Sequence, residues 1–433
     1  MYSIGLMSGT SMDGIDAALI ETDGTPMTVQ SIAHFSLSYD ASFALLLKAT
    51  EYAIKQAKGN LKKANASYHE SLSQYLQNTL CLTEAKLTNT ISQLYDYLKI
   101  VYRKTTPMQI EDVVKHSTHQ HALAAKALLE KTGLSATQIS VIGYHGQAMF
   151  HQPHEKISII LGNGQSLANQ LTIPVINDFR SQDIAMGGQG APFAPIYHQA
   201  LAIRDKKIPL AIVNCGGIAN VTLINGKQSS DLIGFDTGPG NGLVDSLIRQ
   251  RTAGKAFMDK DGHYGKKGVV HPKVLQALYA KSIFKNDQNY FSLPPPKSLD
   301  YGDLRLIPEV QTLSLEDAAR TLEAFTADSI IKSVLTLKIT PPKHWVLAGG
   351  GWQNPVILEE MTTRLKSYLD EKVTIHTADE VGWSSAAMEA ELFAYLAVRT
   401  LRKLPISFPN TTGVKEPSCG GTYFPPQPNQ VVI

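Results

Sequence analysis

Three glycine-rich turns, each entered from a short apolar run, constrain this chain more than any other feature of its sequence. They are Gly9-Thr10-Ser11-Met12-Asp13-Gly14 after residues 2–7, Asp236-Thr237-Gly238-Pro239-Gly240-Asn241-Gly242 after 232–235, and Gly349-Gly350-Gly351 after 345–348. A backbone free of Cβ atoms brings its N–H groups close to an anion, and Ser and Thr hydroxyls add donors. A single glycine turn after a strand is ordinary turn chemistry. Three of them, two carrying Asp and Thr together, point to a bound nucleotide. None has the GxxxxGK[ST] spacing, and none reads GxGxxG after a strand, so the phosphates are expected on hairpin turns. Asn214-Cys215-Gly216-Gly217-Ile218-Ala219-Asn220, between apolar runs at 210–213 and 221–224, has the same polar, glycine-rich character.

The remaining pattern is α/β. Residues 2–7 and 15–21 read as strands of a hairpin, and 41–133 carry Leu and Ala at helical spacing with almost no Gly or Pro. Short β-rich runs follow at 139–144, 157–161 and 173–176, and a strong helical pattern covers 385–401. A chain of 433 residues exceeds what one core usually supports, so two domains with a ligand-sized cleft between them are expected. The boundary is expected near residue 135. Domain 1–135 then carries the helical region and domain 136–433 the rest, while the Pro- and Gly-rich end at 405–428 straps the body and is free to pack back on the first domain.

Composition excludes several classes. Hydrophobic residues at 43% and charged residues at 18% are ordinary globular values. The net charge of +2 comes without a long basic run, so nucleic acid is not an expected partner. The chain opens on a short apolar strand and runs straight into Gly, Ser and Asp, without a basic leader or a membrane-length apolar stretch, so no membrane association and a cytoplasmic location are expected. Cys81, Cys215 and Cys419 are scattered and odd in number, which suits neither a disulfide framework nor a CxxC metal site. No cation or base near Cys215 in sequence marks it as an activated nucleophile.

Chemistry concentrates at Asn177-Asp178-Phe179-Arg180-Ser181-Gln182-Asp183, which leads into Gly187, Gly188, Gln189 and Gly190. Two carboxylates around an arginine, entering flexible backbone, suit charged groups aimed at a sugar. The same residue types also form structural ion pairs. His145-Gly146-Gln147 follows the run at 139–144, and side chains at a strand end commonly meet ligand, although a turn histidine also bonds its own backbone.

Together these stretches resemble the anhydro-N-acetylmuramic acid kinases. The resemblance rests on Met7 through Asp16, on Tyr144-His145-Gly146-Gln147, on Asp178-Phe179-Arg180 through Asp183 to Gly187-Gly188-Gln189-Gly190-Ala191-Pro192, and on Phe235 through Asn241. It implies two actin-like (ribonuclease H-like) domains with βββαβαβα cores closing on ATP and sugar, and a homodimer. Gly9, Thr10, Ser11, Met12, Asp13, Gly14, Ile15 and Asp16 become the first phosphate hairpin. Asp236, Thr237, Gly238, Gly240 and Asn241 become the second, Asn214, Gly216 and Gly217 join the nucleotide loops, and Gly349, Gly350 and Gly351 border adenosine. Asp183 becomes the general base, and His145, Gly146, Gln147 and Arg180 the sugar contacts. Mg²⁺ is implied with ATP, with Asp13 and Asp236 as candidates to meet it through water.

The implied reaction opens the 1,6-anhydro ring of anhydro-N-acetylmuramic acid and phosphorylates O6, giving N-acetylmuramic acid 6-phosphate for cell-wall recycling. Two departures touch loops around the sugar. Leu299-Asp300-Tyr301-Gly302-Asp303 replaces the Thr-Gly-Arg-Glu that follows Pro-Lys-Ser in many members, and Ala386-Ala387 stands before Met388-Glu389-Ala390 where an acidic residue is common. A kinase for another anhydrosugar such as levoglucosan, and a non-catalytic nucleotide-binding regulator, are the alternative readings.

Overall fold

The computed structural model describes residues 1–80, 82–102, 108–285 and 287–427; Cys81 and Pro428 lie outside the described residues. The chain forms two compact units. Unit 1 comprises Met1–Gly190, Ala387–Ser407 and the chain from Val414, and unit 2 comprises Ala191–Ala386 and Phe408–Gly413.

Unit 1 opens with β1 (Tyr2–Ser8), β2 (Gly14–Glu21) and β3 (Gln30–Ser38). Five helices follow: α1 (Ala41–Gln56), α2 (Leu61–Ala66), α3 (Tyr68–Leu80), α4 (Glu84–Tyr102) and α5 (Ile110–Thr132). Next come β4 (Ile139–Gln152), β5 (Ile157–Leu161), α6 (Gly164–Leu171), β6 (Val175–Asn177) and α7 (Arg180–Ala185). Unit 2 contains α8 (Ala194–Arg204), β7 (Leu210–Cys215), β8 (Ile218–Ile224), β9 (Leu232–Pro239) and α9 (Gly242–Arg251). It continues through α10 (Pro272–Lys281), the small hairpin β10 (Phe284–Lys285) and β11 (Gln288–Asn289), α11 (Pro308–Gln311) and α12 (Leu315–Leu335). It ends with β12 (His344–Ala348), α13 (Pro355–Tyr368) and β13 (Thr374–Thr377). The chain then returns to unit 1 as α14 (Met388–Leu401) and β14 (Thr422–Phe424).

The sheets repeat one plan. Unit 1 runs β14-β6-β4-β1-β2-β3 with β5 beside β4, and unit 2 runs β13-β12-β7-β8-β9. In each, three consecutive strands form an antiparallel meander, and two later strands add in parallel beside its first strand. This is the repeated βββαβαβ core of an actin-like chain. The units divide at Gly190, not near residue 135, because β4, β6 and α7 complete the sheet that β1 begins. The change from helical to β-rich sequence near 135 marks the end of α5, which packs Ala122, Ala125 and Leu128 on the first sheet, not the end of a domain.

Two close approaches fix this layer geometry. Gly5 and Gly143 are partners in the parallel β1–β4 register, and α14 lies directly on them. A Cβ at Gly5 would stand 1.7 Å from the Ala390 carbonyl oxygen, and one at Gly143 would stand 1.9 Å from that of Phe393. The helix meets the sheet through Ala390, Ala394 and Ala397, and Ser3 Oγ donates to Ala394 O at 2.9 Å. The helices between β3 and β4 enclose a core of their own, including Phe43, Leu47, Leu72 and Val113, and Met12 from the β1–β2 turn is buried in it.

Candidate active site

The unit 1 site is built on α7. Asp178 takes a left-handed backbone (φ 57°), tolerable for Asp, and its Oδ1 accepts from Ser181 Oγ at 2.6 Å and Ser181 N at 3.3 Å. That local turn starts α7 and puts Arg180 and Asp183 one helical turn apart. Asp183 is 1% exposed, and its carbonyl accepts from Gly188 N at 2.9 Å as the glycine loop folds over it. A Cβ on residue 188 would fall 2.0 Å from Asp183 Oδ2. Gly188→Ala is therefore expected to leave unit 1 folded but displace this carboxylate, lowering kcat about 100-fold. Turnover measured beside an unchanged circular dichroism spectrum checks this, and wild-type kcat would refute it.

His145, Gly146 and Gln147 do not follow the strand; they lie inside β4, which runs on to Gln152. Gly146 at φ 80° makes the irregularity that lets the strand continue. The His145 ring packs 4.6 Å from Phe393, and its Nε2 accepts from Arg180 Nη2 at 3.2 Å. Burial first, then the Arg180 charge, pushes the imidazole down to about 3, so it is neutral at physiological pH and serves as an acceptor that orients the guanidinium. Gln147 is fully buried and donates from Nε2 to Gly9 O at 2.8 Å, while Ser8 Oγ donates to Gly146 O at 3.0 Å. The segment thus laces β4 to the first glycine turn.

Within that turn Gly9, Thr10, Ser11, Asp13 and Gly14 are accessible, whereas the Met12 and Ile15 side chains are buried and offer only backbone. Met12 holds the left-handed conformation (φ 56°), its side chain anchoring the turn in the helical layer. Ser11 Oγ donates to Asp13 Oδ1 at 2.6 Å, and Ser36 Oγ donates to Asp16 Oδ1 at 2.5 Å. Burial raises the Asp16 carboxyl above its usual range; Ser36 opposes this and the nearby Asp13 charge adds to it. Sequence reasoning gave no role to Glu389, in the first turn of α14. Burial raises its carboxyl above the usual range, with the Asp16 charge adding to the shift and Arg180 opposing it. Two acidic residues, Glu389 and Glu391, in the first turn of a largely apolar and buried helix were the available signal.

In unit 2 the glycine turns interlock at the ends of β7, β9 and β12. Gly240 N and Gly242 N donate to Gly217 O at 3.0 and 3.2 Å, and Asn241 N donates to Gly216 O at 2.8 Å. A Cβ at Gly240 would lie 2.0 Å from Gly216 O, and one at Gly351 would lie 2.4 Å from Cys215 Sγ. Gly349, at φ 90°, closes on Asn214, and Gly350 is exposed beside it. Asn214, Gly216, Gly217, Gly240, Asn241 and the 349–351 turn are thus brought together. Thr237 and Gly238 are not part of the turn. β9 runs through them to Pro239, and the buried Thr237 hydroxyl donates to Ala219 O at 3.1 Å. Asp236 is drawn into a neighbouring segment: its Oδ2 accepts from Leu299 N at 2.7 Å and its N donates to Lys297 O at 3.0 Å. Burial lowers the Lys297 ammonium to about 8 against the opposing pull of Asp236. Cys215 is buried, with its thiol pushed up to about 12, and so is inert packing beneath the turns.

Behind the 349–351 turn, the fully buried Glu323 accepts from Asn354 Nδ2 at 2.7 Å. Burial, reinforced by Asp259, pushes its carboxyl up to about 9, and Asn354 opposes the shift. Unfolded, the carboxyl releases its proton near pH 4.5, so between there and about 9 the folded state holds one more proton and stability falls as pH rises. Glu323→Gln, which mimics the neutral acid, is expected to match wild type at pH 5 and exceed it at pH 8.5. Urea midpoints at the two pH values check this; a variant less stable at pH 8.5 would count against a neutral Glu323. Among the described residues no group of three or more His, Cys, Asp or Glu is placed to hold a metal, and no helix is long and apolar enough to cross a membrane.

A family model described as anhydro-N-acetylmuramic acid kinase matches residues 85–426. The anhydro-N-acetylmuramic acid kinase of Rhizorhabdus wittichii is 38% identical over 98% of this chain and 99% of its own length. That of Methylobacterium nodulans is 39% identical over 98% of this chain and all of its own. The chain belongs to the anhydro-N-acetylmuramic acid kinase family. Among solved structures, component A of the (R)-2-hydroxyglutaryl-CoA dehydratase of Acidaminococcus fermentans aligns over 91% of this chain and 98% of that one, at 10% identity and a TM-score of 0.40. Within this family member the departure at 299–303 forms a self-capped turn, in which Asp300 N donates to Asp303 Oδ2 at 2.8 Å, while Lys285 Nζ pairs with the same oxygen at 2.9 Å.

Proposed function

We propose that this chain is an ATP-dependent kinase that hydrolytically opens the 1,6-anhydro ring of anhydro-N-acetylmuramic acid and phosphorylates O6, giving N-acetylmuramic acid 6-phosphate. The observation that carries the reading is the buried Asp183 carboxylate, held on α7 under Gly188 and one turn from an arginine that His145 orients. Asp183 takes a proton from water as its oxygen attacks C1, and the C1–O6 bond breaks. O6 attacks the γ-phosphorus, the bond to the ADP oxygen breaks, and the phosphoryl group takes up the charge that a glycosidase would meet with a second carboxyl acid. Arg180 binds the sugar, kept in place by the neutral His145.

The backbone at Gly9 to Gly14 and at Gly217 receives phosphate oxygens, Gly216 and Gly240, whose amides are already spent on Ile218 O and Gly217 O, shape the approach, and Gly349 to Gly351 border adenosine. Asp13, exposed in the first turn, and Asp236 are the candidates to meet a divalent cation through water, and Asp16, whose carboxyl the Asp13 charge helps to raise, lies beside the first of them. Mg²⁺ held there would supply charge neutralisation to the phosphates. The protein works as a homodimer in the cytoplasm, in cell-wall recycling. Mass spectrometry of products formed from Mg-ATP and 1,6-anhydro-N-acetylmuramic acid in ¹⁸O-water tests the reading. It requires a 6-phosphorylated sugar with ¹⁸O at C1; ATP left intact with this sugar but consumed with levoglucosan would reassign the substrate.

A further inference from the structure

Tyr301 stands where the sequence departs from the usual family pattern, and it lies across the glycine turns of unit 2. A Cβ on Gly242 would come within 2.8 Å of its Cε2, and one on Gly217 within 3.1 Å of its Cδ2. The phenol is fixed at its far end. Its Oη accepts from Arg249 Nη2 at 2.6 Å, donates to Gly242 O at 3.1 Å and pairs with Ser246 Oγ at 3.0 Å. The 299–303 turn that carries it is anchored through Leu299 N to Asp236 and through Asp303 to Lys285. A tyrosine so tethered would ordinarily be buried, yet 42% of this one is exposed. One ring face is therefore rigidly backed by glycine backbone while another part of the ring stays open to solvent.

We infer that Tyr301 is the aromatic platform on which unit 2 seats the purine base of its nucleotide. This rests on the proposed reading of the chain as an ATP-dependent kinase. A ring held by its hydroxyl and by the turn beneath it has already lost its rotamer freedom, so stacking a base on it costs little further ordering. The Gly217 and Gly242 positions must be glycine for the ring to lie this low, which ties the platform to the same turns that receive phosphate.

The test is isothermal titration of ADP and, separately, of pyrophosphate into wild type, Tyr301→Phe and Tyr301→Ala. The platform requires Tyr301→Ala to weaken ADP roughly tenfold, as loss of one aromatic stack does, with pyrophosphate affinity unchanged and Tyr301→Phe recovering most of the loss. Loosening of the turns alone would weaken both ligands together, and that result overturns the inference. Should Tyr301→Ala misfold, Tyr301→Trp provides a second readout: its fluorescence is expected to be quenched by ADP and not by pyrophosphate, and equal responses overturn the inference. If wild type binds ADP and Tyr301→Ala binds it equally well, the platform falls while the kinase reading stands. If wild type binds no ADP, both fall.

Discussion

Asp183→Asn is expected to fold as wild type does and to lose about 10²- to 10⁴-fold in kcat for the anhydrosugar, the range over which a positioned general base acts. The side chains are nearly isosteric, and Asp183 is 1% exposed, so removing its charge does not create a new buried ion. What disappears is the only group assigned to take the proton from the attacking water. ADP release and incorporation of ¹⁸O at C1 should fall together, because ring opening and phosphoryl transfer share O6. ATP affinity should hold, since the glycine turns do not use this carboxylate. A variant that keeps more than a tenth of wild-type turnover would remove Asp183 from the base role. One that still phosphorylates without incorporating ¹⁸O would break the proposed coupling.

Gly143→Ala and Gly5→Ala are each expected to destabilise unit 1 by about 3 kcal/mol, roughly 6–12 °C in its thermal midpoint. The added methyl would stand 1.9 Å from Phe393 O in the first case and 1.7 Å from Ala390 O in the second. Both obstacles are helix backbone, so no rotamer change relieves them and α14 must lift from the sheet. That helix carries Glu389 in its first turn and Phe393 against the His145 ring, so activity should decline with stability. Gly302→Ala, where nothing lies within 4 Å of the added Cβ, is the control and should shift the midpoint little. Calorimetry on the three variants decides it; midpoints within 2 °C of wild type for Gly5→Ala and Gly143→Ala would show that the layers yield more readily than close-packed backbone allows.

Much of the site was legible because its chemistry is local. A glycine turn after a strand, and Asp178 starting a helix that carries Arg180 and Asp183, are set by neighbours within a few residues. Strand ends were less legible. Residues 139–144 ended as an apolar run in sequence, yet β4 continues through the polar His145-Gly146-Gln147 because Ser8 and Gly9 satisfy those groups from another strand. Thr237 was read as a turn residue and is a buried strand residue for the same reason: its hydroxyl bonds to Ala219 on β8. β3 went unread although Ala33, Phe35 and Leu37 alternate with the exposed His34, Ser36 and Ser38 at the period of two that a strand with one half-buried face shows.

The sequence by itself determined the α/β class, the positions of the glycine turns, and the Asp178 turn that starts the helix carrying Arg180 and Asp183. Each follows from residue type and short-range spacing. Only the tertiary structure decided that residues 136–190 finish the first sheet, that Met12 is an anchor, and that Asp236 is held by Leu299 while Glu389 faces the charges of Asp16 and Arg180. Those outcomes depend on groups from distant parts of the chain meeting in the fold. Burial and electrostatic shifts arise from that meeting, and no local pattern encodes it.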